Sequence, residues 1–419
     1  MKIITPFLVA IFCFFLAPQS LFAQAQSQEL SFTNRIVDSI YSPTLEAYQH
    51  FWVRLPEGYQ ADQDTKYPVI YLLDGFSLQN TLEIVYDNYW GHYLPHMILV
   101  GISNQEHRTR NLTTSQVKMR RGAAMNTETG GAENFTLFMA NELMPHIDQQ
   151  YQSSTYRTLI GHSYAGLFTI NTLLNHRHLF TNYIAIDPSI EWDDQQILKQ
   201  ANEKLSQESF AGKSLFVSLA AEQLHMWDEE ITMDNIMEDE SEFSLFARSI
   251  IDFSNVATAT QAQNGLNFSW KVYPEDLHGT VPLPSMRDGL VFLFKWYQFK
   301  SPTKYNNPET SVDEIKALLK KQEAIYTKNF GYPFPPMIEE MMNAYGYMNM
   351  QMGSPEKAHL FFKMSTEYFP KSANGFDSLA EYYEAQNDWE NALKCVKKAF
   401  ELSPNDYFQE RVRVLEGKR

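Results

Sequence analysis

Short runs of almost unbroken apolar residues, set between longer stretches of helical periodicity, constrain this chain more than any other feature. Phe51–Leu55 ends at Pro56 and a Glu57-Gly58 turn, Tyr67–Leu73 reads YPVIYLL, and Met97–Ile102 reads MILVGI. Strands without polar alternation must be covered on both faces. Thr158–Ile160, Tyr183–Ile186, Ser214–Leu219 and Phe268–Tyr273 continue the series, with helical spacing at Phe135–Ile147 and Ala165–Leu174. Such alternation predicts a mostly parallel sheet with helices on both faces.

The pattern changes near Ser301. Pro302 and Asn306-Asn307-Pro308 read as a linker, and beyond them the chain turns helical, first over Asp313–Phe330. Tyr345, Gly353, Ala358 and Pro370 are then matched by Leu379, Asn387, Ala392 and Pro404, each displaced by 34 residues. That is the tetratricopeptide period, one helix pair per unit. Two such units leave apolar surface uncovered, which predicts docking on the preceding domain or on a partner protein. Tyr407–Leu415 is expected to cap the array. The expected division is a leader over 1–25, an α/β domain over 26–300 and a small all-α domain over 301–419.

Lys2, the apolar Phe7–Leu16, Pro18 and the small-x-small Ala23-Gln24-Ala25 form a cleavable export signal, which places the mature chain in the periplasm or outside the cell. The apolar run is too short to span a bilayer and no second one follows, so no membrane span is expected. Cys13 leaves with the leader, and Cys395 then has no partner for an intrachain disulfide. A formal net charge of −16 offers no basic stripe to nucleic acid. His92 and His96 are four apart, but Pro95 spoils the helix a zinc pair would need, so no metal is expected.

Gly161-His162-Ser163-Tyr164-Ala165 lies between a strand and a helix, as a nucleophile elbow of the G-x-S-x-G type must, with Ala in the last place. A serine hydroxyl needs a base. His278, in Pro274-Glu-Asp-Leu-His278-Gly279, follows the last strand, whereas His225 follows the one before. The acid is expected beyond the penultimate strand, Ser214–Leu219, which favours Glu222; Asp228 and Asp187 are alternatives, as is a site with no acid. The oxyanion donors are the backbone N–H groups of Tyr164 and of Phe76, in the Asp74-Gly75-Phe76 turn. Arg108, in His107-Arg-Thr-Arg110, and Trp192 are candidate substrate-binding residues. The acidic stretch Asp228–Glu242, interleaved with Met233, Ile236 and Met237, is a candidate lid helix.

Taken together, Leu55-Pro-Glu-Gly-Tyr59, Tyr67–Gly75, Val100-Gly-Ile-Ser-Asn104, Glu142-Leu-Met-Pro-His-Ile147, Tyr156–Gly166 and His278-Gly-Thr-Val-Pro282 resemble the esterase D-like esterases of the α/β-hydrolase superfamily. The resemblance covers roughly Asp38–Lys300, and GHSYAG departs from that family's usual GHSxGG. It implies an α/β-hydrolase fold and a cofactor-free serine ester hydrolase, with Ser163 and His278 at the catalytic positions. A siderophore trilactone ranks ahead of a plant-wall phenolic ester as substrate, and acyl transfer differs from hydrolysis only in the exclusion of water. The alternative is an inactive hydrolase scaffold that binds a protein partner through the helical repeats.

Overall fold

The computed structural model describes residues 35–59, 65–91, 93–120, 122–222, 224 and 230–418. The expected export leader, His225, Asp228 and one half of the His92–His96 pair lie outside the described residues.

The chain opens with β1 (Arg35–Ser42) and β2 (Ala47–Arg54), then β3 (Tyr67–Leu72), α1 (Gly75–Tyr89), β4 (Ile98–Ile102) and the short α2 (Arg108–Leu112). A two-residue hairpin, β5 (Met119–Arg120) and β6 (Ala123–Ala124), stands apart from the main sheet. Then come α3 (Ala132–Phe138) and α4 (Met144–Gln150), joined by a π-helical turn over Met139–Leu143. Met144 N–H bonds Met139 O there. Pro145, with no N–H for the next rung, accounts for the re-registered ladder. The chain continues through β7 (Ser153–His162), α5 (Tyr164–Asn175), β8 (Asn182–Ile186), α6 (Trp192–Gln207) and β9 (Ser214–Ala220). After α7 (Leu245–Asn264), β10 (Asn267–Tyr273) and α8 (Pro282–Leu293), the described residues are helical to the end.

Eight strands form one sheet in the order β1-β2-β4-β3-β7-β8-β9-β10. The pairings of β1 with β2 and of β2 with β4 are antiparallel; the rest are parallel. This is the mostly parallel sheet that the apolar runs predicted, and the α/β-hydrolase fold that the resemblance implied. All six residues of β3 are buried, and they alternate between two cores. Val69 and Tyr71 join Phe135, Phe168 and Ile250 on one face, while Ile70 and Leu72 join Leu82, Met286 and Leu290 on the other. The antiparallel edge strand β1 carried no apolar run, and half of it faces solvent. Of the acidic stretch, only Ile236–Glu238 forms a turn of 3-10 helix, so the described part is not a continuous lid helix.

Pro302–Tyr305 is a helical turn with Tyr305 buried against Phe299 and Phe361, so the segment read as a linker is packed in place. Beyond it, α9 (Val312–Phe330) starts at an N-cap in which Ser311 Oγ accepts the Glu314 N–H at 3.1 Å, and ends at Gly331, φ 80°. Two helix pairs follow: α10 (Glu339–Gln351) with α11 (Pro355–Tyr368), and α12 (Ala373–Ala385) with α13 (Trp389–Leu402). The helix α14 (Asp406–Glu416) closes the chain. Tyr326 and Phe330 of α9 belong to the same apolar core as α1 and α8. Tyr326 stacks on Tyr297 (4.5 Å) and donates its hydroxyl to the Tyr297 carbonyl at 2.7 Å.

Candidate active site

Ser163 is the residue between β7 and α5, with φ 61° and ψ −117°. A non-glycine residue there stores strain of order 1–3 kcal/mol, held by its surroundings. Three backbone hydrogen bonds do so: Ser163 N–H to Ile186 O (3.0 Å), Leu167 N–H to Ser163 O (2.9 Å) and Ser189 N–H to Ser163 O (3.1 Å). A Cβ at Gly161 would lie 2.1 Å from the Ala165 carbonyl oxygen, so strand and helix approach as closely as the motif implied. Ala165, which stands where the family pattern has Gly, is itself buried. The hydroxyl is partly exposed and lies 3.5 Å from Ser189 Oγ.

His278 comes from the loop after β10. Its Nδ1 bonds the Asp187 carboxylate at 2.6 Å, leaving Nε2 for a substrate or a serine. Its ring lies 4.4 Å, centroid to centroid, from that of His162, the residue next to the serine. Phe246 closes on it edge-on from α7 (5.6 Å). Burial pushes His162 down to about 3, helped by its neighbours His278 and Arg108, so that ring is neutral beside the serine.

The acid position differs from the sequence-based expectation. Asp187, not Glu222, faces the imidazole. Asp187 is fully buried at the tip of β8, and its other oxygen accepts the Ala220 N–H at 3.0 Å. Burial pushes its carboxyl upward, opposed by the hydrogen bonds from His278 and Ala220. Glu222 meets the histidine loop through its backbone, N–H to Asp276 O at 3.2 Å. The reason is strand order: β8 lies beside β7, whereas β9 is one strand farther from the serine.

Tyr164 and Phe76 stand in the first turns of α5 and α1, where the backbone N–H has no upstream helical carbonyl. Their loops follow adjacent strands, joined as far as Leu73 N–H to Ile160 O at 2.9 Å. A cavity of about 210 Å³ opens beside them, lined by Phe76, Leu78, Asn104, Gln105, Arg108 and His162.

Both candidate substrate-binding residues are otherwise engaged. Arg108 lines this cavity, but its charge is paired bidentately with Asp74. Trp192 is buried, donates to Ser115 Oγ at 3.1 Å and packs edge-on against Tyr164 (5.3 Å), so it buttresses that ring. Sequence reasoning missed Arg120, which bonds the Tyr164 hydroxyl and Glu191 and lies over the rings of Tyr164 and Trp192. It sits in a two-residue strand with no periodic signal.

Residues 42–248 match the family described as "Putative esterase". Ferri-bacillibactin esterase BesA of Bacillus subtilis is 34% identical over 190 residues, covering 41% of this chain and 65% of that protein. A siderophore enterobactin esterase of Emericella nidulans is 28% identical over 171 residues, 39% of this chain and 56% of the relative. The chain thus matches somewhat under two thirds of these relatives' length. Among solved structures, an IroE-like serine hydrolase from Shewanella oneidensis superposes with a TM-score of 0.66 at 25% identity, over 80% of this chain and 99% of that one. The siderophore hydrolase EstA of Aspergillus nidulans shares the fold, with a TM-score of 0.53 at 21% identity over 62% of this chain and 94% of that one. These esterase-family matches give no role to the helices beyond Pro302.

Proposed function

We propose that this chain is a member of the esterase family it resembles, an exported serine carboxylic-ester hydrolase that forms its acyl-enzyme on Ser163, with a siderophore trilactone or related ester as substrate. The observation that carries the reading is the pairing of His278 with a buried Asp187 one strand from a strained Ser163. The substrate class follows the named activities of the bacillibactin and enterobactin esterases. Ser163 Oγ attacks the ester carbonyl as its proton passes to His278 Nε2, and Asp187 steadies the imidazolium. The N–H groups of Tyr164 and Phe76 hold the oxyanion. The intermediate collapses, the alcohol leaves with the proton from His278, and water, deprotonated by His278, then releases the acid.

Ser163→Ala is expected to abolish hydrolysis both of p-nitrophenyl butyrate and of a catecholate trilactone followed by chromatography. Retained turnover of both substrates removes the proposal. Turnover of the aryl ester alone by the native chain keeps the esterase and discards the siderophore.

A further inference from the structure

The two oxyanion donors sit on separate loops, Phe76 after β3 and Tyr164 after β7. Catalysis of this kind needs them fixed relative to one another to a fraction of an ångström. The β3–β7 ladder runs out at Leu73. Beyond it the loops are joined by a side chain. Arg108 gives Nε to Asp74 Oδ1 at 2.9 Å and Nη2 to Asp74 Oδ2 at 2.8 Å, and the same Nη2 reaches the His162 carbonyl at 3.2 Å. Its guanidinium also lies 5.5 Å from the centre of the Tyr164 ring.

Asp74 is itself unusual. It precedes α1 with φ 52°, a left-handed conformation that costs a non-glycine residue of order 1 kcal/mol. Its N–H is received by Asn104 Oδ1 at 3.0 Å. The next residue, Gly75, is pressed so close to Gly101 that a Cβ would fall 2.4 Å from its carbonyl carbon, and the Gly75 carbonyl accepts the Trp52 indole N–H at 3.0 Å. The oxyanion loop is therefore held from the β4 side by packing and from the elbow side by Arg108.

We propose that Arg108 is a positioning residue that locks the oxyanion loop to the nucleophile elbow, acting through Asp74 and the His162 carbonyl rather than on substrate. The inference rests on the esterase reading of the site. An arginine fork can satisfy a carboxylate in two-point fashion and reach a carbonyl as well, whereas a lysine offers one point charge. Removing it has a second consequence: the Asp74 carboxylate, two residues from the Phe76 N–H, is left unpaired where negative charge develops on the substrate.

The test is steady-state kinetics on p-nitrophenyl butyrate with Arg108→Ala, Arg108→Lys, Asp74→Asn and the Arg108→Ala/Asp74→Asn double variant, together with inhibition by an alkylboronic acid. Loss of one oxyanion donor costs about 100-fold in kcat or more, so displacement of one is expected to cost Arg108→Ala about 10- to 100-fold in kcat. KM should change little, and boronate affinity should fall in parallel with kcat. Arg108→Lys should recover only part of the loss. The double variant should be no slower than Arg108→Ala, the non-additivity expected when one residue works through the other. A raised KM with kcat preserved, strictly additive effects, or an unchanged kcat would each overturn the proposal. Should Arg108→Ala fold poorly by circular dichroism, Arg108→Lys and Asp74→Asn carry the same comparison. Failure of the esterase reading shows separately, as hydrolysis that survives Ser163→Ala.

Discussion

At the scale of residues, the site is built from groups whose neighbours leave them one role each. His162 is a neutral imidazole at neutral pH, because burial, with a smaller push from its neighbours His278 and Arg108, holds it down to about 3. In the unfolded chain it titrates near 6.5, so between these values the unfolded state binds the extra proton. Its contribution to stability is complete above pH 6.5 and is lost as the pH falls toward about 3. His162→Gln should therefore flatten the acid limb. Urea unfolding at pH 4 and 6 should show a wild-type loss steeper than the variant's by up to about 1.4 kcal/mol per pH unit, and parallel slopes would refute it. The acid is tested more directly. Asp187→Asn is expected to lower kcat by about four orders of magnitude through the wrong imidazole tautomer. Glu222→Gln should stay near wild type, and the reverse ranking would restore the sequence-based choice. Ser163 and His278 were legible because a strand–Gly-x-Ser–helix turn and a histidine after the last strand are local patterns. Asp187 was legible only as an alternative to Glu222, because chain order does not say which strand tip lies beside the serine.

Among the elements, the β-strands were legible and their ends were not. A run of apolar residues marks a doubly covered strand, but β7 extends back to Ser153 through the exposed Thr155 and the partly buried Arg157, polar residues that break the pattern. The helix α9 illustrates the opposite case. Its amphipathic spacing was visible, whereas the surface it covers was not. Phe330 packs against Trp296 (4.9 Å), Tyr156 (5.1 Å) and Phe334 (4.2 Å), joining α9 to β7 and to the segment after α8. Phe330→Ala should cost about 3 kcal/mol, the lower end for an emptied aromatic site. The expected readout is faster amide exchange in α9 and in the Trp296 segment together. Exchange confined to the helix would mean that it is not anchored there.

Over the whole molecule, residues 35–419 form one compact unit, although the sequence reads as an α/β part followed by a helical part. The seam is aromatic. Tyr297, Tyr326 and Phe330 close the α1–α8 face of the sheet, and Tyr305 turns the expected linker into a packed corner. What the sequence determined by itself was everything carried by short-range pattern: the parallel sheet, the elbow around Ser163, the histidine after the last strand and the 34-residue helical period. Local spacing fixes backbone geometry, and those features need little else. The tertiary structure decided the rest: that Asp187 bonds His278, that Arg108 is paired with Asp74, that Trp192 packs edge-on against Tyr164. Each depends on which strands are neighbours in the sheet, and that order comes from long-range packing that no window of sequence contains.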